Sequence, residues 1–279
     1  LGTVIPPSIT FIIYGMITGE SIGDLFLSGI VPGLIFGFML CIMVFIKSKK
    51  NGWKGETQRA SLKEIGRLFL DTIWGLLSPV IVLGGIYSGL FTPTEAAAVA
   101  VVYSLIVGIF IYKELRLAEL KETLFSTAKT TGMILLIIMN AGIFSWVLTQ
   151  QGIAASLTEM ALALTDNKYI MLVIINIVFL CAGCVMDNTS ALYILVPIIM
   201  PIAKALDINM IQLGVILVLN LSIGQVTPPV GPNLYVAADI GKVKFEEICR
   251  KMVPLLLMSL LALLCITYIP ALSLCLIPS

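Results

Sequence analysis

Long apolar runs without charged residues are the feature that most limits how this chain can fold. They lie at 25–46, 76–90, 96–112, 130–149, 169–186, 189–203, 209–226 and 252–269. About 20 apolar residues in a helix cross the hydrocarbon of a bilayer, so some runs can span, whereas the shorter ones must be re-entrant or broken. Of the 279 residues, 59% are hydrophobic and 12% are charged. One soluble core cannot bury that much apolar surface. We therefore expect an all-α, polytopic transmembrane protein.

The same composition excludes several classes of function. A net charge of +1 gives no basic surface for nucleic acid, so no nucleic-acid partner is expected. The absence of histidine removes His-based acid–base catalysis and His metal ligands. Cys181 and Cys184 have C-x-x-C spacing, but they lie within an apolar run and are interpreted as buried small hydrophobes. We expect neither an enzyme nor a bound cofactor.

The beginning of the chain is repeated near its end, at a constant shift of 222 residues. The matching positions are Gly2, Val4, Pro6, Pro7, Val31, Pro32 and Leu34, which fall on Gly224, Val226, Pro228, Pro229, Val253, Pro254 and Leu256. The alignment needs no gap. We expect the chain to begin late in the first copy, with about 150 residues equivalent to 70–222 preceding Leu1.

The basic residues indicate that the two copies cross the membrane in opposite directions. Residues 47–67 hold seven Lys or Arg, residues 113–129 hold four, and residues 242–251 hold four more. The positive-inside rule places these three clusters in the cytoplasm. The counterpart of the first cluster, 269–279, has no charge, and the counterpart of 242–251 in the first copy has no basic residue. An inverted-topology repeat is common in secondary transporters, whose site lies near mid-membrane between the copies.

The crossing count predicts a re-entrant helical hairpin over 169–203 that enters from outside and turns near Asp187. A broken helix over 209–241 then crosses inward. We assign 1–60 to the end of the first repeat, 61–125 to an interfacial helix (61–75) with connecting scaffold helices, and 126–279 to the second repeat. Amides and hydroxyls elsewhere in the spans are predicted to form interhelical hydrogen bonds: Asn140, Ser145, Asn176, Asn220 and Ser222.

Two polar clusters interrupt the apolar runs. Asp187, Asn188, Thr189 and Ser190 fall at the predicted hairpin tip, where polar groups are costly unless something satisfies them. All four are also good N-caps, so a capped turn is the alternative interpretation, and the two roles can coexist.

The second cluster, 224–233, contains three prolines within five residues, which must break the helix. Freed carbonyls can bind a hard cation, and a helix N-terminus attracts an anion. A structural kink is the alternative, but the symmetry-related copy of this break near Pro6 favours function.

The residues in these clusters resemble a known family. Thr92-Pro-Thr-Glu-Ala-Ala-Ala, Met186-Asp187 with Pro197 and Pro201, and Ile223-Gly-Gln-Val-Thr-Pro-Pro-Val-Gly-Pro-Asn-Leu-Tyr are similar to the DctM-type large membrane subunit of tripartite ATP-independent periplasmic (TRAP) transporters. The likeness runs from Leu1 to about Pro270. It implies an elevator-type carrier of the bacterial inner membrane, coupled to Na⁺. It also implies a small four-helix membrane subunit, a periplasmic substrate-binding protein, and a first hairpin that lies outside this sequence.

The resemblance places a sodium site and a substrate site at the two clusters. The candidate sodium ligands are Asp187, Asn188, Thr189, Gly224 and Thr227. The candidate substrate contacts are Ser190, Pro228, Pro229, Gly231 and Asn233, with Pro6, Pro7 and Ser8 from the equivalent break in the first copy. The expected function is sodium-coupled uptake of a small organic acid such as a C4-dicarboxylate or sialic acid. The alternative is a stand-alone anion/sodium symporter or sodium/proton exchanger with an inverted repeat, which would need no external binding protein.

The topology makes a testable prediction. Single cysteines placed within 47–60 should react with an impermeant thiol reagent only from the cytoplasmic side, and those within 272–279 only from outside, because basic segments remain inside. The measurement is accessibility mapping in a chain whose native cysteines are replaced. Labelling of both segments from one side would contradict the inverted repeat.

Overall fold

The computed structural model describes residues 1–53 and 61–277. It is 81% helical, and no strand occurs among the described residues. The helices, in chain order, are α1 Ile9–Thr18, α2 Ile22–Asn51, α3 Leu62–Tyr87, α4 Pro93–Ile106, α5 Leu117–Gln150, α6 Ile153–Leu164, α7 Lys168–Val185, α8 Asn188–Ala205, α9 Met210–Gly224, α10 Pro232–Gly241, α11 Phe245–Tyr268 and α12 Ala271–Leu274. A π-helical turn, Val107–Ile111, extends α4.

Seven of the described helices are long and apolar enough to cross a membrane: α2, α3, α4 with its π-helical turn, α5, α7, α8 and α11. Three shorter apolar helices, α1, α6 and α9, accompany them. The prediction of an all-α polytopic membrane protein is therefore confirmed. Contacts divide the chain into two compact units, the first comprising Leu1–Lys47 with Ile137–Ser279 and the second Ser48–Leu136.

Several elements are longer than the sequence suggested. Residues 61–75 are not a separate interfacial helix, because α3 continues through them to Tyr87. Ser61 caps its start, and Pro79 does not end it. Likewise, the basic segment 113–129 is largely the first turns of α5 rather than a loop. Charge marks which side of the membrane a segment occupies, but it does not end a helix.

The repeat is visible in the first unit as matching elements. α1 and α10 each have ten residues, and each follows a cis Pro-Pro peptide bond, Pro6–Pro7 or Pro228–Pro229. The long helices α2 and α11 come next, with Pro32 and Pro254 at equivalent interior positions.

The end of α2 lies beside the start of α11. The Nζ of Lys47, near the end of α2, donates to the carbonyl of Lys251, near the start of α11, at 2.7 Å. This contact is the one expected of an inverted repeat, and the inversion itself stays a prediction.

The centre of the first unit is α9. Twelve of its 15 residues are buried, which is the pattern of a helix that is apolar on every side. It packs against α7, α11, α1, α8 and α12. Tyr14 of α1 donates from its hydroxyl to the carbonyl of Met210 at 2.6 Å, which anchors the first turn of α9.

Glycines allow α7 and α9 to touch through their backbones. A Cβ on Gly224 would lie 2.6 Å from the Cα and carbonyl carbon of Gly183, and a Cβ on Gly183 would lie 3.1 Å from the Cα of Gly224. No side-chain rotation can relieve such a backbone clash.

In the second unit, α3 and α4 pack together and leave most of their apolar faces exposed. A capping box starts α4. Thr92 Oγ1 accepts from the N–H of Glu95 at 3.3 Å, and a Glu95 carboxylate oxygen accepts from the N–H of Thr92 at 2.8 Å. Tyr103 of α4 donates from its hydroxyl to the carbonyl of Trp74 at 2.6 Å, which holds α3 against α4.

We expect Gly224→Ala to destabilise the protein by about 1–3 kcal/mol, because the added methyl group overpacks a backbone contact. The matched control is Gly142→Ala in α5, where an added Cβ meets nothing within 4 Å. Thermal unfolding of the purified protein in detergent measures both variants. Equal unfolding temperatures for the two variants would contradict the backbone contact.

Candidate functional site

Asp187 forms the turn of the hairpin between α7 and α8. It is exposed and is the N-cap of α8. Its Oδ2 accepts from the Ser190 N–H at 3.1 Å, and its Oδ1 accepts from the Ser190 hydroxyl at 2.6 Å. The capped turn considered from the sequence is therefore present. Each carboxylate oxygen keeps a further lone pair, so capping leaves capacity for another ligand.

Asn188 differs from its neighbour. Its side chain is 7% exposed, and its Oδ1 is buried without a hydrogen-bond partner. A buried amide oxygen without a donor costs about 1–3 kcal/mol. Among the predicted sodium ligands, Asn188 is thus the one whose oxygen is both dehydrated and unoccupied by any protein donor. Hard cations bind such carbonyl-type oxygens.

The helix break lies between the end of α9 at Gly224 and the start of α10 at Pro232. A tight turn begins it, in which the N–H of Thr227 donates to the Gly224 carbonyl at 2.9 Å. The hydroxyl of Thr227 donates to the Ile223 carbonyl at 2.7 Å, so its oxygen still has lone pairs to offer. Gly231 has φ +47° and lies tightly against the Thr227 carbonyl. A side chain at Gly231 would be strained and would crowd that carbonyl.

The hairpin and the break meet at two points. The N–H of Gly231 donates to the Cys184 carbonyl at 3.2 Å. The second point is the backbone contact of Gly183, the residue before Cys184, with Gly224. The structure therefore brings together two segments that are about 40 residues apart in sequence. Thr189 and Ser190 are half-buried on the first turn of α8.

The first-copy break lies against the same end of α9, where Thr3 meets Ser222. Ser8 is buried and caps α1, and its hydroxyl donates to the Thr3 carbonyl at 2.6 Å. The hydroxyls of Thr3 and Ser222 lie 2.6 Å apart, which joins the first copy to α9. Ser222 thus bonds across to the first copy, although Thr3 precedes α1 and the bond does not join two helices.

A cavity of about 420 Å³ lies beside both breaks in the first unit. Its polar lining consists of Thr3, Ser222, Gln225, Asn233 and Ser259. Apolar residues of α2 and α11 form its walls, and none of the described residues that line it is charged. Asn233 Nδ2 donates to Gln225 Oε1 at 3.1 Å.

Only one of the predicted substrate contacts lines this cavity. Asn233 lines it, whereas Ser190, Pro228, Pro229, Gly231, Pro6, Pro7 and Ser8 are not among its lining residues. Sequence reasoning did not assign Thr3, Gln225 and Ser259 to a site. Gln225 could have been found from its place inside the broken segment, but Ser259 lies in an uninterrupted apolar helix that gives no signal.

Comparison with known proteins identifies the family. Residues 1–272 match the family model described as tripartite ATP-independent periplasmic transporter, DctM component. The chain belongs to this family. It is 43% identical over 276 residues to the C4-dicarboxylate TRAP transporter large permease protein DctM of Pseudomonas aeruginosa, covering 99% of this chain and 64% of that protein.

Two further relatives are named for other substrates. The chain is 41% identical over 271 residues to the isethionate TRAP transporter permease protein DctMQ of Oleidesulfovibrio alaskensis, covering 97% of this chain and 43% of that protein. It is 36% identical over 274 residues to the sialic acid TRAP transporter large permease protein SiaM of Vibrio cholerae, covering 98% and 64%. The chain thus spans less than two thirds of the length of these relatives.

The family assignment decides two of the predictions. The DctM relatives are named as transporter permease components and not as enzymes, which confirms that part of the sequence interpretation. The resemblance to TRAP large subunits is likewise confirmed. The assignments of individual sodium and substrate residues remain predictions.

Proposed function

We propose that the complete protein is the large permease subunit of a TRAP transporter, and that it carries out sodium-coupled uptake of a small organic acid across the bacterial inner membrane. The observation that carries the proposal is the junction of the hairpin tip with the broken helix, where the Gly231 N–H meets the Cys184 carbonyl. Broken backbone at membrane depth is tolerated where it is buried in protein or lines a cavity. Relatives named for C4-dicarboxylates, sialic acid and isethionate support an acidic substrate.

The coupling ion fits the oxygens of this junction. The buried Asn188 Oδ1 has no protein donor, and the Thr227 hydroxyl oxygen and Gly224 carbonyl have spare lone pairs. Asp187 and Thr189 flank Asn188 in the sequence. Sodium held by groups on both elements would favour the state in which tip and break are together. A ligand shifts an equilibrium only through such differential binding.

The acid requires a different kind of recognition. The cavity offers neutral hydroxyls and amides, and the described lining includes no Lys or Arg. We propose that N–H groups at helix starts, together with these neutral donors and groups from the rest of the protein, bind the carboxylate. Neutral donors bind an anion more weakly than a guanidinium clamp, which suits a carrier that must release its cargo.

We further propose an elevator-type movement in which the first unit carries the site. Every candidate sodium and substrate residue belongs to that unit, and none belongs to the second. The exposed apolar faces of α3 and α4 are suited to lipid and to a small four-helix membrane subunit. A periplasmic substrate-binding protein would deliver the acid from outside.

Reconstitution tests this function. The full-length subunit, alone, with the small membrane subunit, and with the binding protein added, is placed in liposomes with an inward sodium gradient. Saturable uptake of a labelled acid is expected only in the complete system. Saturable uptake by the large subunit alone, unchanged by either partner, would favour the stand-alone symporter.

In the complete system, Asn188→Leu should raise the sodium concentration for half-maximal uptake about tenfold, the effect of losing roughly 1.4 kcal/mol of ligand binding. Leucine keeps the shape of the side chain but has no oxygen. The matched comparison is Asp187→Asn, which keeps an N-cap for α8 while removing the charge. An unchanged sodium dependence in folded, inserted Asn188→Leu protein would exclude Asn188 as a ligand, and a larger shift in Asp187→Asn would transfer that role to Asp187.

A further inference from the structure

Two buried side-chain amides and one hydroxyl form a chain of hydrogen bonds that joins three helices of the first unit. Asn220 of α9 donates from Nδ2 to the Oδ1 of Asn176 in α7 at 2.6 Å. Asn176 donates from Nδ2 to the hydroxyl of Thr267 in α11 at 3.1 Å. Asn176 and Asn220 are 4% and 0% exposed. We call these three residues the amide clasp.

The amide clasp is not the most stable way to fill this space. Asn220 Nδ2 also donates to the Ile216 carbonyl at 3.0 Å, which fixes the orientation of the side-chain amide. In that orientation Asn220 Oδ1 is buried without a partner. Reversing the amide would set its oxygen against the Ile216 carbonyl and leave the NH₂ group unsatisfied. Two apolar side chains of the same shape would carry neither penalty.

The position of the amide clasp suggests that its hydrogen bonds fix the position of α7 along α9. Gly224 follows Asn220 by four residues and Gly183 follows Asn176 by seven, so the clasp lies on the glycine interface, one to two turns from it. Smooth glycine surfaces allow two helices to slide along each other. A hydrogen bond between buried amides is directional and is costly to break in a low-dielectric interior. The amide clasp therefore fixes how far α7 projects past α9.

We propose that Asn176 and Asn220 are positioning residues that set the depth of the hairpin tip against the broken helix, and thereby the affinity of the junction for its coupling ion. The inference rests on the proposed function. Neither residue is assigned as a ligand. Their effect passes through the backbone contacts of Gly183 with Gly224 and of Cys184 with Gly231.

The experiment compares Asn220→Leu with the double variant N176L/N220L in the full-length subunit, reconstituted with its partners. The single variant leaves the Asn176 oxygen unsatisfied and should unfold at a lower temperature. The double variant removes both amides, so its unfolding temperature should return to that of the wild type or exceed it. Its sodium concentration for half-maximal uptake should nevertheless rise about 3- to 10-fold, the loss expected for one buried hydrogen bond.

Two variants separate positioning from general packing. Asn176→Asp, protonated in this buried site, can accept from Asn220 and donate to Thr267, so it should keep wild-type sodium dependence. Ser28→Ala removes a buried hydroxyl of α2, which donates to the Leu25 carbonyl at 2.8 Å and touches no clasp residue, and it should not shift sodium dependence. If the double variant does not insert, Asn176→Leu is compared with Asn176→Asp at the same position.

A second readout does not depend on transport. Spin labels at the exposed positions Val185 and Val230, introduced as cysteines in a chain whose native cysteines are replaced, report the distance between tip and break. The double variant should shift or broaden that distance relative to the wild type and to Ser28→Ala. An unchanged distance and an unchanged sodium dependence would overturn the inference. Wild-type uptake that ignores sodium would instead overturn the proposed coupling, and the label distances would then decide the positioning role alone.

Discussion

The backbone contact between Gly183 and Gly224 is the constraint on which the rest of the first unit depends. It lets α7 approach α9 without side chains between them, so the hairpin tip arrives beside the residues that leave α9. Larger residues at either position would separate the helices and withdraw the Cys184 carbonyl from the Gly231 N–H. Close approach through small residues is a principal way in which helices associate in membranes, where apolar side chains gain little by leaving lipid.

This contact also explains how a broken helix can exist at membrane depth. Three prolines remove backbone donors between Gly224 and Asn233, and the carbonyls they leave must find other partners. A local turn satisfies one of them, since the Gly224 carbonyl accepts from the Thr227 N–H, and the hairpin satisfies a donor of the break, since the Cys184 carbonyl accepts from the Gly231 N–H. The break is therefore held by protein rather than lipid, which is the condition under which irregular backbone persists in a bilayer. The first-copy break is likewise held by contacts within the protein, since Ser8 caps α1 and Thr3 contacts Ser222.

Much of this arrangement follows from local signals in the sequence. Proline spacing located the break after α9, the repeat located its copy near Pro6, and consecutive capping residues located the hairpin turn at Asp187. The distribution of Lys and Arg predicts an inversion with which the Lys47–Lys251 contact agrees. The length of α3 was not predictable in this way, because no breaker separates its charged and apolar parts. Asn176 and Asn220 were recognisable as interhelical hydrogen bonders, but their partners and the orphaned oxygen depend on how deeply α7 sits against α9. That depth is a tertiary property with no local pattern.

The roles proposed for Asp187 and Asn188 at a sodium site agree with the cost of dehydration. A carboxylate in a dry interior loses several kcal/mol of solvation unless it is paired, whereas an amide oxygen loses about 1–3 kcal/mol. The chain places the charge at the exposed turn, where it caps α8 while hydrated, and places the neutral oxygen in the buried position. Before an ion binds, the buried oxygen has only a modest cost that a cation can relieve. A neutral ligand also holds that cation less tightly than a buried carboxylate would, because no full opposite charge is left behind on release. If the tip binds the coupling ion as proposed, a neutral buried ligand beside a hydrated charge suits a carrier, which must bind and release the ion within each cycle.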